Sequence, residues 1–380
     1  MRKLVIISHT EHQLTKTGEV VGFAPTVNEI NVLSAHWDQV VHIACLEKLA
    51  AKGNSIPYAG SIIRFVAIPS FGGQTLRKKL NIITQSVHIL RIIHEQMKDA
   101  TEVQLRLPMG IGLYVLPYFI WNRNRSYTLW IKYANNWTGR PASLGYGFQR
   151  WLLKKNLARC RVTINGSWKG QPAHCISFEN PCLREEHREE GAQILPNKQA
   201  TNGLFTLIFV GRVEYAKGID LLLERIPEWP ADLIKHVHIV GDGPLLSSLK
   251  EALQKRGIQA TAHGFLTQEA TFEWLKAADF LLLPSRSEGF PKVVAEALNF
   301  GCLPIVTSVG SVAHYIRHEE NGFLVQEVTS DGFHRVFQEA LTASVEKRKA
   351  MATQGFELAG AFTFRAYLEK LKKYILNAIR

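Results

Sequence analysis

Short apolar runs alternate with longer segments of helical periodicity along the whole chain, which is typical of α/β folds with parallel sheets. In the first half the pattern predicts strands at residues 3–8, 62–68, 102–107, 127–133 and 161–165. Between them it predicts helices at residues 28–51, 76–98, 110–121 and 143–160. The second half alternates more regularly, with strands expected at 204–210, 236–240, 260–264, 280–283 and 303–307 and a last amphipathic helix at 362–379.

The chain is long enough for two domains, each with its own core, because it has 380 residues. A polar, highly charged stretch at 184–203 predicts the linker between them; the alternative is a short charged surface helix within one domain. We therefore expect a first domain at 1–183, a second at 204–360, and a terminal segment at 361–380.

Positive charge is concentrated in the first half. The formal net charge is +12, and residues 1–183 hold 22 Lys+Arg against 9 Asp+Glu, whereas residues 184–380 hold 23 against 24. This asymmetry predicts that the first half meets an anionic partner such as lipid head groups, phosphates or nucleic acid. The alternative is that these side chains serve solubility alone. No zinc-finger or RNA-binding signature supports nucleic acid.

The five cysteines form no Cys-x-x-Cys pair, which indicates reduced thiols in a cytoplasmic protein. The longest apolar stretch, 109–121, contains Pro117 and is shorter than the roughly 20 residues that cross a bilayer. We expect no membrane-spanning segment.

Two strand ends in the second half carry residues suited to phosphate. Gly211 and Arg212 follow one strand, with Lys217 nearby, and Arg and Lys beside a helix N-terminus can hold a diphosphate. The alternative is that both cations are merely solvated. Gly241 and Gly243 follow the next strand, where they allow either close approach of a ligand or a tight strand-to-helix turn.

Two glutamates mark the most informative stretch. A buried strand ends before Pro284, and Pro291 is placed to open a helix, so Glu288 lies in a loop and Glu296 inside the helix. The amides near Gly289 and Phe290 can face an anion, and the two carboxylates can accept hydrogen bonds from sugar and ribose hydroxyls.

Glu288 and Glu296, with seven residues between them, resemble the paired glutamates of retaining glycosyltransferases of the family 4 type. The motifs around them follow in the family's order over roughly 204–325: Gly211-Arg212, Lys217-Gly218, Gly241-Asp242-Gly243-Pro244, His263-Gly264-Phe265, Gly301, Pro304, Gly310 and Asn321-Gly322-Phe323-Leu324-Val325. The resemblance implies the GT-B fold, an α/β architecture with two Rossmann-like domains facing a central cleft. It implies a nucleotide-sugar donor on the second domain and acceptor binding by the first. It also implies that the C-terminal helix at 361–380 packs back on the first domain; the alternative is a terminal helix that packs only on its own domain.

Carried over residue by residue, the resemblance implies that Arg212 and Lys217 bind the diphosphate, Glu288 lies near the donor sugar, and Glu296 binds ribose. Glu288, Arg212 and Lys217 are the expected catalytic residues. The expected donor-binding residues are Gly211, Arg212, Lys217, Gly241, Gly243, Gly264, Phe265, Glu288, Gly289, Phe290, Val293 and Glu296.

The chain departs from the family in its first half. No glycine pair follows the first strand, and no histidine follows the mid-domain strand, so no catalytic histidine is carried over. His9 and His12 alone are incomplete ligation for a metal. No Asp-x-Asp is available to tie a metal to a sugar nucleotide, so we expect neither a metal nor another cofactor.

Basic segments at 77–79 and 150–161 suggest contact with an anionic membrane, since cations flank an apolar stripe that includes Trp151. The alternative is a domain helix that buries Leu153 and Leu157. With the resemblance, we expect peripheral binding to the inner face of the plasma membrane and a glycan or lipid-linked acceptor, in bacterial surface polysaccharide synthesis.

The alternatives are a GT-B epimerase or hydrolase of sugar nucleotides, and a non-catalytic protein that binds nucleotide or polyanion. A dehydrogenase is disfavoured because no Gly-x-Gly-x-x-Gly follows the first strand.

Overall fold

The computed structural model describes residues 1–50, 55–69, 84–139, 143–200 and 203–376. The chain divides into two compact units. The first comprises Met1–Phe178 with a C-terminal segment that begins at Leu368, and the second comprises Glu179–Tyr367.

The first unit is built on a mostly parallel sheet. Its described strands are β1 Lys3–Ile7, β2 His12–Leu14, β3 Val20–Phe23, β4 Gln39–Ala50, β5 Ser55–Pro57, β6 Ile63–Ile68, β7 Glu102–Leu107, β8 Thr128–Tyr133, β9 Arg161–Ile164 and β10 Cys175–Ser177. Their order is β10-β9-β8-β7-β1-β4-β2-β3-β5, with β6 also paired to β4. The helices are α1 Ala24–Ser34, α2 Ser86–Met97, α3 Gly112–Trp121 and α4 Leu144–Lys154.

One face of this sheet packs the apolar core. Alternate residues of the central strands, such as Val103, Leu105 and Ile131, are buried together with Ile93 of α2 and Phe119 of α3. The opposite face includes buried polar residues, among them His42 and Lys132. The main apolar cluster of this unit therefore lies on one side of the sheet, where α2, α3 and α4 cover it, while Val27, Ile30 and Leu33 of α1 are buried outside this cluster.

One predicted helix, 28–51, is wrong. The structure has the short helix α1, which ends at Ser34, and then the long strand β4 from Gln39. Val40, Val41, His42 and Ile43 are all buried, so the strand lacks the alternation of apolar and polar residues by which strands are recognised. The predicted helix 143–160 is shorter, since α4 ends at Lys154. The helix predicted at 76–98, including the basic segment 77–79, begins outside the described residues. Its described part is α2.

The second unit contains a fully parallel sheet. Its order is β13-β12-β11-β14-β15-β16, formed by β11 Phe205–Val210, β12 Ile234–Val240, β13 Ala260–Gly264, β14 Phe280–Leu283, β15 Leu303–Thr307 and β16 Phe323–Val325. The helices are α5 Glu185–Ile194, α6 Ile219–Arg225, α7 Leu246–Lys255, α8 Gln268–Ala277, α9 Lys292–Asn299, α10 Ser330–Thr342 and α11 Val345–Ala359. The helix α12 Phe364–Leu371 begins in this unit and ends in the first. All five strands predicted for this half are present.

The predicted linker 184–203 contains the helix α5, which lies in the second unit. The alternative, a short charged surface helix within one unit, is what the structure has there. Glu185 and Glu186 in its first turn suit the positive end of the helix dipole. The predicted final helix is present as α12 and one wider turn at Lys372–Leu376, and residues 377–380 lie outside the described part.

Within the described ranges, the chain has no helix with both the length and the apolar character needed to cross a bilayer. Both units have Rossmann-like parallel sheets, so the predicted α/β fold class is confirmed.

Candidate functional site

The residues expected to bind a donor lie mostly in loops at the carboxyl ends of β11, β12 and β14. From β11 the chain adds β12 and β13 on one side and then β14, β15 and β16 on the other. The carboxyl ends of β11 and β14 therefore form a topological switch point, where open α/β sheets bind ligands. Gly211 follows β11, and Glu288 lies in the loop after β14.

Gly241 allows two of these loops to touch. Its φ is +128°, and a Cβ atom at this position would lie 1.9 Å from the carbonyl oxygen of Gly211. Its amide donates to the carbonyl of Gly264 at 2.7 Å. Gly241 is thus required for backbone packing between neighbouring loops, which is the structural alternative to close approach of a ligand. A role in donor binding stays a prediction.

Lys217 and Glu288 form the centre of the site. The Lys217 Nζ donates to the Glu288 Oε1 at 2.5 Å, although 71 positions separate the two residues in the chain. The Glu288 side chain is only 11% exposed. The structure therefore brings two of the three expected catalytic residues into direct contact.

Arg212, the third expected catalytic residue, is more exposed. Its side chain is 66% accessible, and its Nε lies 3.0 Å from the Glu214 Oε2. Exposed ion pairs of this kind contribute about 0–1 kcal/mol. Arg212 can therefore leave Glu214 for a phosphate at little cost.

Arg286, which the sequence motifs do not mark as functional, fixes the loop after β14. Arg286 donates to both carboxylate oxygens of Asp220, at 3.0 and 2.7 Å. Its guanidinium also lies 4.2 Å from the centre of the Tyr215 ring. A paired guanidinium and carboxylate of this geometry fixes orientation as well as position, so the loop is tied to the start of α6.

The same loop is held from β15. Gly310 has φ +58°, and a Cβ there would lie 2.0 Å from the Glu288 carbonyl oxygen. The amide and hydroxyl of Ser311 both donate to the Gly289 carbonyl at 2.9 Å. The backbone of Glu288 and Gly289 is therefore placed by contacts on both sides of the switch point.

Glu296 lies inside α9 and is buried. The Nε2 of Gln268, at the start of α8, donates to the Glu296 Oε1 at 2.6 Å. Burial raises the pKa of Glu296 to about 7, and the bonds and charges of Gln268 and Lys292 partly oppose that rise. The predicted placement of Glu288 in a loop and Glu296 in a helix is confirmed.

The remaining expected donor residues differ in accessibility. Phe265, next to Gly264, is 52% exposed at the end of β13. Val293 is half-buried on α9. Phe290 is buried, and its ring stacks on Phe362 with 4.6 Å between the centres. A donor contact from Phe290 must therefore come from its backbone.

In the first unit, His12 belongs to a hydrogen-bond network. Its Nε2 lies 2.7 Å from the Tyr58 hydroxyl and its Nδ1 lies 2.9 Å from the Thr10 carbonyl oxygen. His9 is exposed on the loop after β1. In the portion of the chain that the structure describes, no group of three or more His, Cys, Asp or Glu residues is arranged to hold a metal ion.

Residues 193–358 match the family model for glycosyl transferases, group 1. This segment is a group 1 glycosyltransferase domain. It spans less than half of the chain, and it contains Arg212, Lys217, Glu288 and Glu296 together with the switch point. The match supports the predicted resemblance to glycosyltransferases over this segment.

Two curated relatives show the range of similarity. An uncharacterized glycosyltransferase of Methanocaldococcus jannaschii is 31% identical over 127 residues, which cover 33% of this chain and 33% of that protein. Glycogen synthase of Xanthomonas oryzae pv. oryzae is 26% identical over 258 residues, which cover 63% of this chain and 50% of that protein. The chain spans between a third and a half of the length of these relatives.

Among solved structures, the chain is similar to Anabaena HepE in complex with UDP, at 15% sequence identity and a TM-score of 0.66. The match covers 100% of both chains. HepE was also solved with UDP and glucose. Structural similarity of this kind shows the fold, and the fold of this chain is GT-B.

Sequence patterns could not reveal two elements of the site. Gln268 stands at the start of a helix, where polar residues are common, and its contact with Glu296 spans 28 positions. Arg286 stands within the glutamate motif, but its partner Asp220 lies 66 positions away. Both contacts arise because the carboxyl ends of parallel strands gather at one edge of the sheet.

Proposed function

We propose that this chain is a retaining glycosyltransferase of the family 4 type, which moves a sugar from a nucleotide-sugar donor to a hydroxyl of a glycan or lipid-linked acceptor. The contact between Lys217 and Glu288 at the switch point carries the proposal. It lies in the group 1 domain and joins the cation and the carboxylate that this reaction requires.

Lys217 and Glu288 can exchange partners when a donor binds. A bound diphosphate competes for Lys217, since its oxygens carry more charge than one carboxylate. Glu288 then accepts a hydrogen bond from a hydroxyl of the donor sugar instead. Arg212, which is held only by an exposed ion pair, adds a second cation to the diphosphate.

In the reaction, the bond between the sugar C1 and the diphosphate oxygen breaks, and the electron pair leaves with the nucleoside diphosphate. The acceptor hydroxyl bonds to C1 on the same face, and its proton passes to the departing phosphate. Lys217 and Arg212 stabilise the charge that develops on the leaving group, which is the electrostatic term that typically dominates such catalysis. Because these cations supply that charge, we propose that transfer needs no metal and continues in EDTA.

The test is donor turnover by the wild type and by Glu288→Gln, with UDP-, GDP- and ADP-sugars as donors. Gln keeps the size of Glu and removes its charge, so we expect turnover to fall by about 10²–10³-fold with little change in melting temperature. Glu320→Gln is the matched control, since Glu320 is exposed and pairs only with the nearby Arg317 among the described residues. Near-normal turnover by Glu288→Gln contradicts the proposal.

The same donors identify the nucleotide. The donor whose base fits the site raises the melting temperature, by an amount that grows with the logarithm of the donor concentration divided by its Kd. UDP in the HepE structure supports a uridine nucleotide as the first candidate. Incubation of the donor alone separates the alternatives: without acceptor, a hydrolase consumes it, an epimerase converts it to a mixture of epimers, and a non-catalytic protein leaves it unchanged.

For the acceptor, the first unit offers an exposed apolar stripe on α4. Leu144 is 94% exposed, and Phe148 and Trp151 follow at helical spacing with stacked rings and about half of their surface exposed. Leu153 is buried, as the alternative of a domain helix requires, so α4 buries one face and presents another. An exposed Leu, Phe and Trp on one helix face is typical of helices that lie in a membrane interface.

Cations border this stripe. A cavity of about 320 Å³ next to Trp151 is also lined by Lys154, Lys155, Trp168 and Lys169. Each Lys near an anionic surface contributes about 1 kcal/mol to attraction. We therefore propose that α4 binds the inner face of the plasma membrane, where lipid-linked acceptors of bacterial surface polysaccharide synthesis are extended.

Liposome sedimentation tests the membrane proposal. Vesicles in which about 30% of the lipid is anionic phosphatidylglycerol should bind the wild type. Most of the Lys154→Glu/Lys155→Glu variant should stay unbound. Trp151→Ala should weaken binding to the same vesicles, and neutral vesicles should bind all three poorly. Equal binding to anionic and neutral vesicles contradicts it.

A further inference from the structure

A glutamine on a neighbouring helix holds the carboxylate of Glu296. We propose that Gln268 is a positioning residue, which fixes Glu296 so that the site selects a ribonucleotide over its 2′-deoxy analogue. The proposal rests on the proposed function, in which Glu296 accepts hydrogen bonds from ribose hydroxyls.

The geometry fixes the glutamine amide itself. Its Nε2 donates to the Glu296 Oε1 at 2.6 Å and to the Cys182 carbonyl oxygen at 3.0 Å. An amide nitrogen has two hydrogens, and here both have acceptors. Because a backbone carbonyl can only accept, the amide nitrogen and not its oxygen must face this pair of atoms. Gln268 thus links Glu296 to the backbone at Cys182.

The position of Gln268 is also fixed along its helix. It is the first residue of α8, and the preceding Thr267 caps that helix by accepting from the Ala270 amide at 3.2 Å. A capped helix start restricts the backbone from which the Gln268 side chain extends. The carboxylate of Glu296 is therefore held by a side chain that is itself anchored at both ends.

Glu296 needs such a partner because it is buried. A carboxylate removed from water without a hydrogen-bond donor is strongly disfavoured. Lys292, one turn earlier on α9, favours the charged form of Glu296, whereas Glu269 on α8 opposes it. Among the described residues, the bond from Gln268 is the side-chain hydrogen bond found for this carboxylate, and it engages Oε1. Oε2 is the oxygen that remains for a ligand.

The consequence concerns specificity. The last torsion of a glutamate side chain is broad, so an unanchored carboxylate turns freely. With Oε1 tied to Gln268, the plane of the carboxylate is set and Oε2 is presented in one direction. A ribose hydroxyl donates a hydrogen bond to this oxygen when Glu296 is ionised, which favours ribose over deoxyribose by about tenfold or more.

The experiment measures the affinity of the whole chain for UDP and for 2′-deoxy-UDP by calorimetry, with GDP and ADP and their 2′-deoxy forms in the same panel. The variants are Gln268→Leu, which keeps the bulk and loses the amide, and Gln254→Leu, the same change at an exposed position on α7. We expect the wild type and Gln254→Leu to prefer the ribonucleotide by about tenfold or more. In Gln268→Leu the preference should fall to about two- to threefold, through weaker ribonucleotide binding and unchanged deoxynucleotide binding.

Each other outcome has a distinct meaning. If Gln268→Leu keeps the wild-type preference, or weakens both nucleotides equally, Gln268 has only a structural role and the inference is overturned. Circular dichroism melting identifies a variant that fails to fold, and Gln268→Asn then replaces it. If the wild type binds nucleotide but shows no preference, the ribose contact of Glu296 is wrong. If it binds no nucleotide, the proposed function fails with it.

Discussion

The two units share a parallel sheet but differ in where they keep their polar residues. In the second unit the central strands are almost wholly apolar, as in Phe280–Leu283, and the polar residues stand in the loops at the strand ends. In the first unit, polar and charged residues lie within the strands and are buried. The contrast therefore holds for the central strands: the first unit buries polar side chains within them, whereas the second unit buries polar residues such as Asn299 and Arg348 outside them.

A buried ion cluster shows this difference most clearly. The Lys132 Nζ lies 2.7 and 2.8 Å from the two oxygens of Glu29, and the Arg106 Nη2 lies 3.0 Å from Oε1. Arg106 and Lys132 stand directly opposite each other on β7 and β8. Glu29 on α1 thus separates two like charges that the strand register brings together.

A buried histidine network is the second example. The Nε2 of His42 is hydrogen-bonded to the Ser8 hydroxyl at 2.8 Å, and its Nδ1 is hydrogen-bonded to the Tyr58 hydroxyl at 2.5 Å. Burial lowers the pKa of His42 well below its ordinary value, and the nearby His12 and Arg106 lower it further. The ring is therefore neutral near pH 7, and its contacts are those of a structural core residue.

The largest expected effect tests the ion cluster. Glu29→Gln removes the carboxylate that pairs with two cations in the first unit. We expect the free energy of unfolding, measured with urea, to fall by about 3–5 kcal/mol. Glu19→Gln, at an exposed position, should change stability by less than about 0.5 kcal/mol. Equal stability of the two variants contradicts a structural role for the cluster and removes the contrast between the units.

The next effect tests the second unit. Lys217→Met removes the cation next to Glu288, and we expect donor turnover to fall by about 10²–10³-fold because the leaving diphosphate loses its stabilisation. The loss of stability should be smaller than for Glu29→Gln, since the Lys217 side chain is 26% exposed and water reaches this pair. Lys250→Met, at an exposed position on α7, is the control for a lost charge. A loss of stability without a loss of turnover reverses the assignment of this pair to function.

The smallest effect concerns pH. Burial raises the pKa of Glu296 from its ordinary value of 4.5 to about 7. Between these values the folded chain holds a proton that the unfolded chain has released, so stability decreases as pH rises through this range. The slope is at most about 1.4 kcal/mol per pH unit.

Urea unfolding at pH 4.5, 6 and 7.5 measures this slope in the wild type and in Glu296→Gln. The free energy of unfolding of the wild type minus that of the variant isolates the contribution of Glu296. This difference should become less favourable to the wild type as pH rises. A difference that does not change with pH indicates that Glu296 has its ordinary pKa in the folded chain.

The sequence predicts the second unit better than the first for a physical reason. Short apolar strands such as β14, bounded by Asp279 and Pro284, are recognisable because their neighbours are polar or break the strand. The strand β4 is not, because His42 is buried along with Val41 and Ile43, and its length is close to that of a helix. Burial on both faces removes the signal on which the prediction depends.

The candidate site divides in the same way. Glu288 and Lys217 are visible in the motifs, and the parallel sheet explains why they meet. The supports of the site are not visible, since Gln268 and Asp220 contact residues far along the chain. The Phe290 side chain packs in the interior, which is compatible with the expected contact through its backbone amide, and that contact stays a prediction.

The configuration of the transferred sugar tests the central claim most directly. Proton NMR of the first product formed from an α-linked nucleotide sugar should show an α-linked product, and Glu288→Gln should form it at least about 100-fold more slowly. A β-linked product contradicts retaining transfer. Product formation by Glu288→Gln at the wild-type rate contradicts the role of the Lys217–Glu288 pair.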